Sequence, residues 1–496
     1  MAEALDILFI HPGDRKETHQ ALGDQHCAIE PPIIAAMQAD YLRRRGYGVA
    51  IYDVPAMQVS AAEASRVATE HYAPRLVVLP VYGFQPSAST QTMPAAGRIA
   101  RLIKQTAPDL PIVMLGTHPA ALPRQTMQEE AVDWVCTGEG PLTLEKLLQA
   151  LDADAARIQE IPSLWWRDEE GTIQPPRCHE SLITDLSGTL SGLAWDLLPM
   201  ERYRAHNWHC FDTPGERTPY VSLYTSLGCP FQCNFCCINA AFGKPGYRMW
   251  SPEVVLSWVD HLVERYGIRN IKLADEMFVL NKRHVTALCQ GLIERDYGLN
   301  IWAYSRVDTA YPELMEMMQR AGFSWLVLGI ESANPQVRDG AEKPMRDAEI
   351  INAVRRVEDA GIHVLGNYLF GLPHDTPETM EQTITLALQL NTAFANFYST
   401  MAYPGSALYR TARDAGRPLP NQWQGYAQHG YETYPLATDH CSAAEILAFR
   451  DAAWDRYFTD PSYLAKVERL FGQGVLKEIR NMTGIKLSRR LLEEAA

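Results

Sequence analysis

The segment GCPFQCNFC at residues 228–236 places Cys229, Cys233 and Cys236 at C-x3-C-x2-C spacing. It follows an apolar run that predicts a strand. Thiolates are soft ligands that favour zinc, copper(I) or iron–sulfur clusters. Structural zinc needs four ligands, usually in two pairs, and no second Cys or His pair lies nearby in the sequence. Three thiolates instead suit a four-iron cluster with one iron left open, so we predict that these cysteines are metal ligands at a catalytic centre.

On the carboxyl-terminal side of this segment, short apolar runs alternate with helical patterns as far as about residue 410. This alternation predicts an α/β unit of about six strands. The runs are Val221–Ser226, Ile271–Leu273, Ile301–Tyr304, Leu326–Ile330, Val364–Phe370 and Phe397–Met401.

The first 150 residues show the same alternation and predict a doubly wound parallel sheet. Its apolar runs are Ile7–Ile10, Val49–Val54, Leu76–Val81, Ile112–Leu115 and Trp134–Cys136. Ligands of such sheets bind beyond the carboxyl ends of the strands, where this sequence has glycine and small polar residues. The sheet alone would suit a flavin or a nucleotide, although the missing G-x-G-x-x-G counts against a dinucleotide.

These patterns divide the chain into four parts. Residues 1–154 form the first sheet, 155–215 a connecting segment with one hairpin, 216–415 the second α/β unit and 416–496 a helix-rich region.

Composition limits the functions to consider. The 496 residues include 45 Lys and Arg against 59 Asp and Glu, giving a net charge of −14, which disfavours nucleic acid as a partner. No apolar run is long enough to span a membrane, and no signal peptide is evident, so we expect a cytoplasmic protein. Ten cysteines in a reducing compartment indicate metal or redox chemistry at the cluster rather than disulfides.

The second unit resembles the radical S-adenosylmethionine (SAM) enzymes, whose hallmark is this cysteine spacing in the loop after the first strand of a partial (β/α)6 TIM-type barrel. Five further segments match family signatures in order: LADEMF at 273–278, YSRVD at 304–308, GIES at 329–332, GLPHDT at 371–376 and YPGSALY at 403–409. The resemblance implies a [4Fe-4S] cluster that binds SAM and opens it to a 5′-deoxyadenosyl radical.

The same resemblance implies which residues contact SAM. The acidic end of the second strand meets the SAM amino group, and the arginine after the third strand approaches the SAM carboxylate. The implied SAM-binding residues are Asp275, Glu276, Ser305, Arg306 and Glu331. Helix caps and a surface salt bridge are the structural alternatives for these side chains. Cys237, adjacent to the triad, is predicted to be a buried structural thiol.

The first unit resembles the Rossmann-like cobalamin-binding domain that precedes the barrel in cobalamin-dependent radical SAM enzymes. The matching pieces are IEPP at 29–32, GTHP at 116–119 and CTGEGP at 136–141. The implied cobalamin-binding residues are Tyr82, Gly83, Ser87, Ser89, Gly116, Thr117, His118, Gly138, Glu139 and Gly140. His26 is a candidate lower ligand of cobalt, with a loop histidine as the alternative, because its surroundings only partly match D-x-H-x-x-G.

The two resemblances together imply a methyltransferase that acts on an unactivated carbon, or on phosphorus, of a small molecule. One SAM would supply the radical and another the methyl group that passes through cobalamin, with electrons from an external flavodoxin- or ferredoxin-type donor. One alternative keeps the cofactors but performs oxidation, cyclisation or rearrangement. The other is a cobalamin-binding sensor or carrier, which would have no use for an open-iron cluster.

Overall fold

The computed structural model describes residues 5–83, 86–153 and 155–495. Its amino-terminal unit is built on one sheet, with strands β1 (Ile7–His11), β2 (Val49–Asp53), β3 (Leu76–Val81), β4 (Ile112–Gly116), β5 (Trp134–Cys136), β6 (Leu164–Arg167) and β7 (Ile173–Gln174). The helices of this unit and of the connecting segment are α1 (Arg15–His19), α2 (Leu22–Gln25), α3 (Ile33–Arg43), α4 (Val54–Met57), α5 (Ala61–Arg66), α6 (Pro86–Thr106), α7 (Thr117–Ala121), α8 (Pro123–Glu129), α9 (Pro141–Ala153) and α10 (Leu186–Thr189).

The strand order of this sheet is β2-β1-β3-β4-β5-β6-β7, and the first five strands are parallel. β3 is buried along its whole length, as expected for a strand covered by helices on both faces. The order reverses between β1 and β3, which marks the carboxyl edge there as the ligand crevice. β6 and β7 form the predicted hairpin, but β6 pairs antiparallel with β5. The sheet therefore continues beyond residue 154 into the connecting segment.

The second unit contains strands β8 (Tyr220–Leu223), β9 (Ser226–Leu227), β10 (Arg248–Met249), β11 (Asn270–Leu273), β12 (Asn300–Arg306), β13 (Phe323–Glu331), β14 (His363–Phe370) and β15 (Phe394–Ser399). Its helices are α11 (Pro252–Tyr266), α12 (Lys282–Arg295), α13 (Pro312–Arg320), α14 (Pro335–Gly340), α15 (Asp347–Asp359), α16 (Pro377–Leu390) and α17 (Ala407–Asp414). Six parallel strands follow the order β15-β14-β13-β12-β11-β8, which is the topology of a partial barrel.

The amino-terminal end of this barrel is closed by aromatic residues from outside it. Trp208 of the connecting segment packs against Trp325 of β13 with ring centroids 5.3 Å apart, and Phe471 stacks on the same ring at 5.9 Å. Phe471 belongs to the helical carboxyl-terminal region, α18 (Ala443–Phe458), α19 (Pro461–Gly484) and α20 (Arg490–Ala495). Removing a fully buried tryptophan such as Trp325 costs about 3–5 kcal/mol of stability. This plug leaves the carboxyl ends of the strands as the open end of the barrel. Within the described ranges, no helix carries the apolar stretch needed to traverse a bilayer.

Candidate active site

The three cysteines lie in the loop that begins where β9 ends. Gly228 starts the loop at a φ of +85°, and a Cβ at this position would lie 2.7 Å from the carbonyl oxygen of Gly246. Only glycine fits both constraints. The Gly246 N–H donates to the carbonyl of Cys229 and so holds the two ends of the loop together. The adjacent Cys237 is buried and packs with Met401 and Tyr403.

The triad has the character of cluster ligands rather than of a single-ion site. Across the described residues, no three His, Cys, Asp or Glu side chains converge closely enough to hold one metal ion. In a four-iron cluster each thiolate binds a different iron, so three cysteines that do not converge on one point suit such a cluster. Burial raises the pKa of Cys229 to about 11 and raises that of Cys233 and Cys236 as well. These thiols are therefore protonated until a metal displaces the protons.

Arg306, at the carboxyl end of β12, faces the triad. Its guanidinium lies over the ring of Phe231 at 4.1 Å, and Nη1 is 4.0 Å from the sulfur of Cys233. The Asp308 carboxylate accepts hydrogen bonds from Nε and Nη2 of the same guanidinium at 2.9 and 3.1 Å. Ser305 instead bonds to Thr309 in the turn after the strand, so its hydroxyl has a structural role in this structure.

The two acidic residues after β11 differ in their surroundings. Asp275 is fully buried and accepts hydrogen bonds from the Thr225 N–H and hydroxyl at 2.9 and 2.7 Å and from the Ser226 hydroxyl, so it fixes the start of the cysteine loop. The buried Oε2 of Glu276 has no hydrogen-bond partner. Burial and, to a smaller degree, the neighbouring Asp275 raise the pKa of Glu276 to about 8. This unpartnered carboxyl oxygen is suited to meet a cationic group such as the SAM ammonium.

Glu331 lies at the end of β13 with a φ of +64°, an uncommon conformation for a residue with a side chain. Its carboxylate forms a buried ion pair with Lys343. The charge of Lys343 also helps to offset the effect of burial on the pKa of Cys233. The Glu331–Lys343 pair thus contributes to the electrostatic environment of Cys233 in the triad.

A cavity of about 260 Å3 brings several of these residues together at the open end of the barrel. Among the residues implied by the sequence, Cys229, Cys236, Glu276 and Glu331 line it. Tyr304 and Tyr403, which belong to two of the matched motifs, also line it, and further lining residues outside the motifs are Asn367, Tyr398, Met401 and Gln428. Tyr304 and Asn367 could have been found from their strand register, because each alternates with apolar residues on a predicted strand.

A second cavity, of about 40 Å3, joins the two units. Tyr82, Gly83, Thr117 and Glu139 contribute to it from the carboxyl edge of the first sheet, and Glu276 contributes from the barrel. Glu276 therefore lines both cavities. The carboxyl edges of the two sheets face one another, with this carboxyl group between them.

Glu139 connects the carboxyl edge of the first sheet to the second unit. Its carboxylate accepts from Arg248 of β10 at 2.8 Å and from the N–H of Ile183 in the connecting segment at 2.7 Å. Its main-chain carbonyl accepts from the side chain of Gln38 at 2.8 Å. The buried Gln38 Oε1 has no partner and lies at the same cavity. Such free amide groups suit the amide-bearing rim of a corrin.

The other implied cobalamin residues lie along the same edge. Gly116 has a φ of +136°, and a Cβ there would be 2.0 Å from the carbonyl oxygen of Val81, so the β3–β4 edge requires glycine. The Ser89 hydroxyl donates to the Val81 carbonyl and accepts from the His118 N–H, so it stabilises this edge of the sheet. Gly138 and Gly140 also have positive φ, at +107° and +99°. Ser87 falls outside the residues whose side chains are described.

Two histidines near this edge have different surroundings. His118 is buried, donates to or accepts from Thr90 at 3.2 Å, and leaves its Nε2 without a partner. Burial lowers the pKa of His118 to about 3, so its ring is neutral. His26 does not line the second cavity and instead lies 3.3 Å from Asn207 of the connecting segment. The structure therefore does not bring His26 to the edge where the other implied residues gather.

One interdomain contact was not anticipated from the sequence. Glu30, just before α3, enters the barrel and binds Lys272 of β11 at 3.0 and 3.1 Å. The Lys272 side chain is 1% exposed and lies 5.0 Å from the ring centre of Trp302. A lysine within the otherwise buried strand NIKL was the available sequence signal.

Comparison with known proteins identifies both units. The family model described as Radical SAM superfamily matches residues 223–387, and the B12 binding domain matches residues 28–148. The thiol triad and the unpartnered polar groups at the facing edges fit the cluster, SAM and cobalamin that these domains imply.

The relatives span nearly the whole chain. An uncharacterized methyltransferase, PH0819, of Pyrococcus horikoshii is 29% identical over 94% of this chain and 95% of its own length. An anaerobic magnesium-protoporphyrin IX monomethyl ester cyclase of Rubrivivax gelatinosus is 24% identical over 95% of this chain and 81% of its length. The radical SAM methyltransferase TsrM from Kitasatospora setae, solved with cobalamin and a [4Fe-4S] cluster, shares the fold with a TM-score of 0.67 at 17% identity, covering 93% of this chain and 90% of TsrM. The chain therefore contains a radical SAM domain, preceded by a B12 binding domain.

Proposed function

We propose that the protein is a cobalamin-dependent radical SAM methyltransferase that methylates carbon or phosphorus in a small molecule. The observation that carries this proposal is the junction at Glu276, which lines both the cavity beside the cysteine triad and the cavity facing the B12 binding domain. A methyl transfer between two cofactors needs both of them at one reaction space, because reacting atoms must come within about 3–3.5 Å. Two of the relatives described above are named as methyltransferases.

When bound, the cluster and SAM supply a carbon-centred radical, and cobalamin supplies a methyl group. The residues of this chain position and enclose these groups. Glu276 would offer its free carboxyl oxygen to the SAM ammonium, and Arg306, which lies beside Cys233, would approach the SAM carboxylate. Gln428 lines the larger cavity, where its segment would help to keep water from the radical.

The test is an anaerobic assay of the reconstituted protein with reductant, cobalamin and methyl-labelled SAM. A methyltransferase releases S-adenosylhomocysteine and transfers the label to a small molecule from a cell extract. Formation of 5′-deoxyadenosine alone, without S-adenosylhomocysteine, would contradict methyl transfer.

The second candidate is a cyclisation, oxidation or rearrangement with the same cofactors. The 24% identity to a cyclase over 95% of the chain favours it specifically. The same assay separates the two, because a cyclase consumes SAM without releasing S-adenosylhomocysteine.

We further propose that a flavodoxin- or ferredoxin-type protein in the cytoplasm supplies the electrons. Reductive opening of SAM requires an external electron, and three partly exposed thiols in place of disulfides suit a reducing compartment. Replacing the chemical reductant by reduced flavodoxin should support SAM cleavage, and a failure of both flavodoxin and ferredoxin to do so would contradict this proposal.

A further inference from the structure

Three arginines converge on residues 23–27, which comprise the end of α2 and the loop that follows it, between the B12 binding domain and the barrel. Arg15 comes from α1, and Arg204 and Arg217 come from the connecting segment. All three donate to main-chain carbonyl oxygens of this segment, and Arg15 and Arg204 share the carbonyl of Gly23. We call these three residues the arginine cluster.

The arginine cluster has no carboxylate in direct contact with its positive charges. In the described part of the chain, no carboxylate lies within 4 Å of any of the three guanidiniums. Burial and then the charge of Arg204 lower the pKa of both Arg15 and Arg217, the latter to about 10. Asp24 offsets part of this effect at Arg15 and Arg204, and Glu478 does so at Arg217. Like charges held together in a half-buried place destabilise one another, so a bound anion would stabilise the arginine cluster further.

The arginine cluster also has free hydrogen-bond donors. Nη1 of Arg15 and Nε of Arg204 are buried without any partner. A buried donor without a partner costs free energy, more so when it carries charge. The planar fork of a guanidinium matches the oxygens of a phosphate or a carboxylate. An oxyanion would therefore satisfy both the unpaired donors and the unpaired charge.

The helix that carries Arg15 leads toward the reaction space. His19 of α1 stacks on His429 with ring centroids 5.6 Å apart, and the neighbouring Gln428 lines the 260 Å3 cavity. One residue beyond the segment 23–27, the N–H of Ala28 donates to Nδ1 of His206 at 3.3 Å. Beside Arg15, burial lowers the pKa of His19 to about 4, so this ring is neutral and can itself donate to an anion.

We propose that the arginine cluster binds an oxyanion group, namely a phosphate, phosphonate or carboxylate, of a ligand in the reaction. This inference rests on the proposed function, because it places a ligand of that reaction beside the SAM cavity. Two ligands could carry the group: the substrate, or cobalamin through the phosphate of its nucleotide tail.

The first experiment measures anion binding directly. Isothermal titration of the purified protein with inorganic phosphate, methylphosphonate and acetate should give saturable binding of at least one of them. Arg15→Gln and Arg204→Gln should each weaken that binding about tenfold or more, since each removes a charge-assisted contact. Arg346→Gln, at an arginine whose side chain is 84% exposed, is the matched control and should bind as the wild type does.

In each variant the remaining arginine, Arg204 or Arg15, still donates a hydrogen bond to the Gly23 carbonyl. Circular dichroism is used to check that each variant is folded. If no anion binds, or if the two variants bind as tightly as the wild type, the arginine cluster is only a clamp for the loop and the proposal is wrong. Because the titration contains no SAM, a negative result alongside intact SAM cleavage would leave the proposed function standing.

The second experiment identifies the source of the oxyanion. Retention of cobalamin is compared with retention of cobinamide, which lacks the nucleotide phosphate, in the wild type and in Arg15→Gln. Loss of cobalamin affinity with unchanged cobinamide affinity assigns the oxyanion to the cofactor tail. Unchanged retention of both, together with weakened binding of free anion, assigns it to the substrate.

Discussion

Replacing Lys272 by methionine should destabilise the protein through the carboxylate that it leaves behind. Lys272 is 1% exposed and its partner Glu30 is 11% exposed, so neither charge has water as a substitute partner. Removing one member of a buried pair costs about 3–5 kcal/mol. Lys272→Met and Glu30→Gln should therefore each lower the free energy of unfolding by about 3 kcal/mol or more.

The double variant distinguishes an ion pair from two independent contacts. With both charges removed, no uncompensated charge remains, so the loss should be well below the sum of the two single losses, with a coupling energy of about 3 kcal/mol. Urea unfolding followed by circular dichroism and by tryptophan fluorescence gives the three values. Lys486→Met, in an exposed pair with Asp455, is the control and should unfold as the wild type does.

If the loss of unfolding free energy in the double variant equals the sum of the two single losses, the reasoning is refuted, because Glu30 and Lys272 would then not interact. If the pair couples as expected, it joins the B12 binding domain to the barrel interior. Lys272→Met and Glu30→Gln should then each reduce cobalamin-dependent activity by a larger factor than they reduce the content of iron–sulfur cluster.

Three further predictions follow from the sites. Replacing all three cysteines of the triad by alanine should abolish iron binding and reductive SAM cleavage, while Cys237→Ala should keep both; 5′-deoxyadenosine from the triple variant would contradict the cluster assignment. Burial keeps Glu276 neutral up to its pKa of about 8, whereas the unfolded chain ionises near 4.5, so stability falls with rising pH between those values. In cluster-free protein, Glu276→Gln should reduce this slope, to which Glu130, Asp275 and Asp375 also contribute because burial raises their pKa. An unchanged slope in pH-dependent unfolding would contradict the raised pKa of Glu276. The Gly138→Trp variant should lose cobalamin, as measured by cobalamin absorbance after gel filtration. The control Gly171→Trp, also at positive φ but in open space, should retain it. Equal retention in the two variants would show that cobalamin does not bind beside Gly138.

The sequence alone predicts the strands well, because most are short apolar runs bounded by glycine or polar residues. β3 and β5 have the predicted bounds, and the barrel strands differ mainly at their ends. The cysteine motif is equally local, since its spacing is readable along the chain. The hairpin β6–β7 was predicted, but its pairing with β5 was not, because pairing depends on tertiary contacts.

The contacts across the two units could not be predicted from spacing. Glu139 resembles a cofactor-binding residue by its motif, yet in the structure its carboxylate binds Arg248, more than 100 residues away. Asp275 and Glu276 are adjacent and chemically alike, but only the fold shows that Asp275 is saturated with hydrogen bonds and that Glu276 is not. Their roles as SAM contacts remain predictions.

The most direct test of the shared reaction space is the distance from cobalt to the 5′-carbon of SAM in an anaerobic crystal structure of the reconstituted protein. The facing edges predict that the upper face of the corrin looks toward the cluster, with a separation on the order of 8–10 Å, enough for one small substrate. A corrin that faces away, or protein that fills the gap, would leave methyl transfer without a route and contradict the account.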